Sequence, residues 1–192
     1  VNPVLRLDSE AIENSGFTTI GDAVRSLPFN NGQALTPADS GVSFTPGVST
    51  ANLRGLGNNN TLVLINGRRA VPYASPGFDG FQTVFDLNSL PAAAIDTIEI
   101  LKDGASAIYG SDAVAGVLNV RLRSDYEGAS VSARVGNYFS TDGLLKKVSF
   151  ITGASTAKAS VIMTMDWQEQ NAVFARDLDY VNADQQYRNA NT

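Results

Sequence analysis

Thr61-Leu62-Val63-Leu64-Ile65-Asn66-Gly67-Arg68-Arg69 is the stretch on which the reading of this fold turns. Its first five residues form an almost continuous apolar run of strand length, which reads as a buried strand. Asn-Gly follows at once. A type I′ turn needs positive φ at both central positions, so Asn66-Gly67 predicts a tight reversal into Arg68-Arg69-Ala70-Val71.

Strand and helix signals alternate outward from this point. Downstream, residues 72–85 hold two prolines, two glycines, Tyr73 and three phenylalanines, and read as an exposed loop. Pro91 to Ile95 suits a short helix with proline in its first turn. Thr97 to Leu101 is a strand, Asp103-Gly104 a turn, Ala105 to Tyr109 one helical turn closed by Gly110, and Val117 to Leu122 a further strand. Upstream, residues 30–50 are rich in Gly, Asn, Pro, Ser and Thr and read as a long loop. Thr19 with Asp22 has the form of a capping box, after which Ile20, Ala23, Val24 and Leu27 recur at helical spacing until Pro28. Ser9 to Asn14 is a shorter helix candidate.

The pattern changes near Tyr126-Glu127-Gly128. Residues 1–127 carry all of the formal net charge of −5, and residues 128–192 are neutral. In Ala129–Val135 the set Ala129, Val131, Ala133, Val135 opposes Ser130, Ser132, Arg134. In Ser160–Gln168 the set Val161, Met163, Met165, Trp167 opposes Ser160, Thr164, Asp166, Gln168, with Ile162 as the exception. Leu145–Gly153 alternates less cleanly. These are three strands of period two. Phe139 and Trp167 fall at the far ends of the first and third, in phase with the apolar faces, as an interfacial aromatic girdle requires. A soluble antiparallel sheet with one dry face alternates identically. Residues 169–192 lose the pattern and read as a loop.

Composition closes several routes. The 192 residues include no His and no Cys. That excludes disulfides, Cys/His zinc sites, thiol nucleophiles and His-based triads. The acidic balance argues against nucleic acid as a partner. No run of 18 or more apolar residues exists for a transmembrane helix, whereas a transmembrane β-strand leaves a much weaker trace. The start at Val1 reads as a mature or excised segment. Gly55-Leu56-Gly57 lacks the third glycine of a dinucleotide loop, since Asn60 stands there and a strand follows. Gly104-Ala105-Ser106-Ala107 begins like a nucleophile elbow, but Ile108 replaces its last glycine. Asp103 and Asp112 are isolated turn acids. No run of acids at alternate positions makes a calcium loop. The chain is expected to have no catalytic residue, no metal site and no cofactor. It is not expected to be an enzyme.

Four motifs in order then carry a resemblance: Asn52-Leu53-Arg54-Gly55-Leu56-Gly57; Thr61 to Arg69; Leu90-Pro91 with Ile95-Asp96-Thr97-Ile98-Glu99-Ile100-Leu101-Lys102-Asp103-Gly104; and Ala105-Ser106-Ala107-Ile108-Tyr109-Gly110-Ser111-Asp112-Ala113-Val114-Ala115-Gly116-Val117-Leu118-Asn119-Val120. Together they resemble the plug domain of TonB-dependent outer-membrane receptors. Val120-Arg121-Leu122-Arg123 departs from the Ile-rich strand ending in Lys that many members carry.

The resemblance implies a fold of α/β (α+β) class: a plug globule with a mixed sheet of about four strands over residues 1–123. Residues 124–192 would begin a transmembrane β-barrel with about three antiparallel strands, incomplete because even small barrels need about eight. It implies a gate in the outer membrane of a Gram-negative bacterium, the plug facing the periplasm within the barrel. Such a receptor binds a scarce solute outside (a siderophore, a cobalamin or a glycan) and releases it when the TonB energy-coupling complex rearranges the plug. Other implied partners are the remainder of the barrel and outer-membrane lipid. Arg54 and Lys102 match positions where members carry basic residues that pair with barrel acids, a plug–barrel latch. Without those acids they are expected to matter little to this chain. Asn58, Asn59 and Asn60, with Tyr73 and Phe78, are the candidate solute-binding residues at the outward apex. The other class of reading is a soluble, non-enzymatic binding or interaction module.

Overall fold

The computed structural model describes residues 4–17, 19–30, 34–36, 47–77, 80–137, 143–156 and 158–171. The chain divides into two compact units, Val1–Asp125 and Tyr126–Thr192.

The first unit runs β1 (Val4–Asp8), α1 (Ser9–Asn14), α2 (Ile20–Arg25), β2 (Thr61–Ile65), β3 (Arg68–Arg69), β4 (Tyr73–Gly77), β5 (Gly80–Val84), β6 (Ile95–Leu101), α3 (Ser106–Tyr109) and β7 (Gly116–Leu122). Its main sheet has the order β1-β6-β7-β2-β3. Only β2 and β7 pair in parallel, so the sheet is mixed. Asn66 and Gly67 take φ of 50° and 77° and bring Arg68 opposite Ile65, the predicted reversal.

The apolar run of β2 serves two cores at once. Val63 packs into a large cluster with Ile98, Ile100, Leu118 and Val120, against Ile12 of α1 and Ile20, Ala23 and Val24 of α2. Leu62 and Leu64 point to the opposite side, into a smaller cluster with Ala105, Ala113 and Val117. A strand buried on both faces has no polar positions to alternate with, which explains the unbroken run. Thr19 caps α2 with Asp22 returning the bond, and Asp8 caps α1.

Local signals miss two elements. β1 has no buried residue and exists by pairing along the edge of β6, where Arg6 also lies 3.3 Å from Glu99. Residues 72–85 are not a plain loop. β4 and β5 pair there as an antiparallel ribbon, with Pro76 opposite Phe81. Both strands of an isolated ribbon are edges, where proline is tolerated. Pro91–Ile95 shortens to a 3-10 turn, Ala92–Ala94, with Pro91 as its cap. Of the predicted loop 30–50, residues 34–36 and 47–50 carry no regular structure and Asn30 makes a single bridge to Leu53; the remaining positions lie outside the described residues.

The second unit contains β8 (Gly128–Gly136), β9 (Leu145–Ser155) and β10 (Ser160–Gln170), an antiparallel meander. Register aligns Ala133, Val148 and Trp167 in one row and Val131, Phe150 and Met165 in the next. Ser132, Ser149 and Asp166 form a row of the other face. The apolar face is open: Val131 is 69% exposed, Val161 70% and Met165 61%. The exception, Ile162, lies opposite Gly153, whose own partner is Gly128, so its bulk meets two residues without side chains. Lys146 and Glu169, 3.6 Å apart, close one end of the apolar face, one row beyond Trp167. Phe139 and residues 172–192 lie outside the described residues. Among the described residues no helix is long and apolar enough to cross a membrane.

Candidate functional site

Residues 49–57 form no helix or strand, yet Ser49, Thr50, Ala51, Asn52 and Leu53 are buried. Buried irregular backbone needs partners for its polar groups. Side chains supply them. The Asn52 amide donates to Asn30 Oδ1 at 2.8 Å, Leu53 N to Thr61 Oγ1 at 3.1 Å, and Gly57 N to Asn52 Oδ1 at 2.9 Å. Ser49 N donates to Asp86 Oδ1 at 3.0 Å. The segment is thereby threaded through the globule in one conformation, and it ends in the 3-10 turn Asn58–Asn60 at the start of β2.

The three asparagines differ in use. Asn58 Oδ1 accepts from Thr50 Oγ1 at 2.9 Å, and Asn60 Nδ2 donates to the Leu56 carbonyl at 2.6 Å. Asn60 also accepts the Ala115 amide through its carbonyl at 2.8 Å. Both side chains therefore shape the turn. Asn59 is exposed. β5 lies against this turn, so the structure brings the asparagine run and the ribbon that begins with Tyr73 together. Tyr73 is 39% exposed. Its phenol is held above the ordinary value by burial first and by the Asp86 charge second. Phe78 lies outside the described residues.

Arg54 stands at positive φ, 58°. Its Nε donates to the Ala115 carbonyl at 3.1 Å, one terminal nitrogen to the Val114 carbonyl at 2.7 Å, and the other pairs with Asp103 at 3.0 Å. Arg69 makes a parallel grip from β3. It pairs with Asp112 at 2.7 Å and donates to the Tyr109 carbonyl. Two guanidinium forks thus hold the connection between β6 and β7, residues 102–115, over the smaller core. A fork that binds a carboxylate and carbonyls together uses the planar, multi-donor geometry that a lysine lacks. Lys102 lies with its Nζ 5.1 Å from the centre of the Phe29 ring. The sequence reading missed Arg69, Asn30 and Asn52. Their partners are tens of residues away, and no local pattern marks them.

A family model described as the TonB-dependent receptor plug domain matches residues 2–117. The chain belongs to the TonB-dependent receptor plug family. An iron-regulated outer membrane virulence protein of Vibrio cholerae is 32% identical to this plug-bearing chain over 125 residues, covering 63% of the chain and 17% of the relative. A ferric enterobactin receptor of Pseudomonas aeruginosa is similar in structure over 92% of this chain and 26% of its own, with a TM-score of 0.67 at 19% identity. The siderophore receptor PirA of Acinetobacter baumannii is similar over 90% of this chain and 25% of its own, with a TM-score of 0.64 at 24% identity. The chain therefore spans about a quarter of the length of these relatives, or less. At such identities the structural likeness is one of fold: a mixed-sheet plug followed by antiparallel strands, which form no closed barrel among the described residues.

Proposed function

We propose that this chain is the gate of an active outer-membrane receptor, a transport component and not an enzyme. The plug, residues 1–123, blocks a pore whose wall begins with β8–β10 in residues 124–192. One observation carries this reading: a plug-family sequence is followed in the same chain by strands whose apolar face is exposed. A soluble sheet buries that face, whereas a barrel wall turns it to lipid. In this reading Trp167 sits at the headgroup level, between the apolar rows and the Lys146–Glu169 pair.

The solute, a siderophore, a cobalamin or a glycan, arrives from outside and meets the apex formed by Asn58–Asn60, Tyr73 and, by the family likeness, Phe78. The TonB complex then draws the plug into a conformation that lets the solute reach the periplasm. The remaining partners are the rest of the barrel and outer-membrane lipid, in a Gram-negative cell. Lys102 and Arg54 form the latch toward barrel acids. Arg54 would reach them only by sharing a fork already engaged with Asp103 and two carbonyls, so Lys102 is the freer of the two to pair outward.

The test is a full-length receptor lacking residues 1–123, expressed in the outer membrane of cells otherwise impermeable to a large antibiotic. The gate reading expects the deletion to sensitise the cells while the intact receptor does not. A deletion that inserts and closes normally but leaves the cells resistant would remove it.

A further inference from the structure

We propose that Asn66 is a masked modification site: its sequence makes it prone to spontaneous deamidation, and the side chain of Asn119 holds it unreactive in the folded plug. The reactivity comes from the residue that follows. Gly67 has no side chain to hinder an attack by its own backbone nitrogen on the preceding carboxamide. In that reaction the Gly67 nitrogen bonds to Cγ of Asn66 and closes a five-membered imide. The Cγ–Nδ2 bond breaks, and Nδ2 leaves as ammonia with the proton that the Gly67 amide gives up. Water then opens the imide. Opening at Cγ gives aspartate. Opening at the main-chain carbonyl gives isoaspartate, in which the chain runs through the former side chain. Either product carries a new carboxylate.

Burial does not protect the pair. Asn66 and Gly67 are both exposed, and a Cβ at Gly67 would meet nothing within 4 Å, so water reaches the turn. What restrains it is hydrogen bonding to β7. Asn66 N donates to the Val120 carbonyl at 2.9 Å. Leu122 N donates to Asn66 Oδ1 at 2.8 Å, which turns the carboxamide toward β7. Gly67 N donates to Asn119 Oδ1 at 2.9 Å, which engages the proton that the attack must release. The last two bonds must both open before the nitrogen can reach Cγ.

Asn119 is the one side chain on β7 in this set, and its orientation is fixed from behind. An amide side chain can present either its oxygen or its nitrogen, whereas a carboxylate only accepts. Asn119 Nδ2 donates to Glu99 Oε2 at 2.9 Å, so Oδ1 is left to face Gly67. Glu99 is itself held 3.3 Å from Arg6, with its side chain 18% exposed. A line of polar contacts thus runs from β1 through β6 and β7 to the turn. The product would matter to the plug. The two-residue turn sets Arg68 opposite Ile65 and Arg69 opposite Leu64. Isoaspartate inserts one more main-chain atom into that turn and shifts β3 out of register. Arg69, which pairs with Asp112 at 2.7 Å, would then lose its grip on the connection between β6 and β7.

The experiment compares the full-length receptor folded in detergent with the same protein unfolded in urea, both kept in warm, mildly alkaline buffer. Mass spectrometry follows deamidation in the tryptic peptide Gly55–Arg68, with isoaspartate separated from aspartate by fragmentation. Asn58, Asn59 and Asn60 lie in the same peptide and none precedes glycine, so they serve as internal references. Asn66 should react at least about tenfold more slowly in the folded receptor than in urea. Asn119→Leu should raise the folded rate at Asn66 about tenfold, the effect of one hydrogen bond on the opening equilibrium, and leave the three references unchanged. Glu99→Gln keeps a partner for Asn119 but lets its amide turn, so it should raise the Asn66 rate by a smaller factor. Equal rates in the folded and unfolded receptor overturn the mask. An unchanged Asn66 rate in folded Asn119→Leu overturns the part given to Asn119. If Asn119→Leu accelerates all four asparagines alike, the plug has loosened as a whole and Glu99→Gln decides: a rise confined to Asn66 upholds the proposal, and no such rise overturns it.

Discussion

Arg54 combines a backbone conformation that L residues avoid with a side chain that makes three bonds. Its worth to the fold and the strain of its φ can be separated by two substitutions. Arg54→Ala removes the fork and keeps the positive φ. Arg54→Gly removes the fork and relieves the φ. Losing the two carbonyl bonds costs about 1–2 kcal/mol, while the exposed pair with Asp103 adds less. Relief of the left-handed conformation returns about 1 kcal/mol. Urea titration of the chain in detergent should therefore rank wild type first, Arg54→Gly second and Arg54→Ala last. An Ala variant as stable as wild type would mean that the fork does nothing for the plug and that its role lies with groups outside this chain. A second residue acts through backbone. Asn30→Ala leaves the buried Asn52 amide without its acceptor and should cost about 1–3 kcal/mol, more than Asn59→Ala, which touches only the surface.

The close approach of β6 and β7 depends on one glycine at the scale of elements. Gly116 opens β7 with φ of 138°, and a Cβ there would stand 2.7 Å from the Leu101 carbonyl oxygen and 2.9 Å from Leu53 Cδ1. Gly116→Ala should destabilise the chain by about 3 kcal/mol and raise hydrogen exchange first at the start of β7. Unaltered exchange at Val117 and Leu118 would show that the strands have room to separate. In the second unit the informative element is β10. Trp167 is the only tryptophan in the chain and is 48% exposed on the apolar face. Its fluorescence should shift to the blue when detergent micelles or lipid vesicles are added. The same should follow for Met165→Trp in a Trp167→Phe background, but not for Thr164→Trp on the polar face. An emission that ignores lipid at both apolar positions would return the sheet to the soluble reading.

The two units differ in what can hold them at the scale of the molecule. Among the described residues the first contains nearly all of the buried apolar side chains, including Leu62, Leu64, Ile98 and Ile100, while the second buries Ile151. A lone three-stranded sheet without a covering layer is marginal in water. Amides of β2, β6 and β7 should therefore exchange far more slowly than those of β8–β10 in a detergent-free, dilute sample. The chain should associate as its concentration rises, through the open apolar face. Equal protection of both units in a proven monomer would contradict the view of β8–β10 as strands that lack their layer.

Much of the first unit was legible because its rules are local. The run Thr61–Ile65 needs only its own composition to become a strand, Asn66-Gly67 only its own φ preferences to turn, and Thr19 with Asp22 only three residues to cap α2. Alternation likewise marked β8–β10, because register over a few residues sets which side chains share a face. Neither the pairing of β1 to the edge of β6 nor the folding of residues 72–85 into a ribbon was written in those segments, since an edge strand forms by meeting a neighbour. The forks of Arg54 and Arg69 close over separations of 40 to 61 residues. Sequence determined that these residues were charged and near glycine turns. Only the tertiary structure decided that their charge is already satisfied inside the plug, because a carboxylate or carbonyl becomes a partner when the chain brings it within bonding distance, and no spacing rule carries that distance.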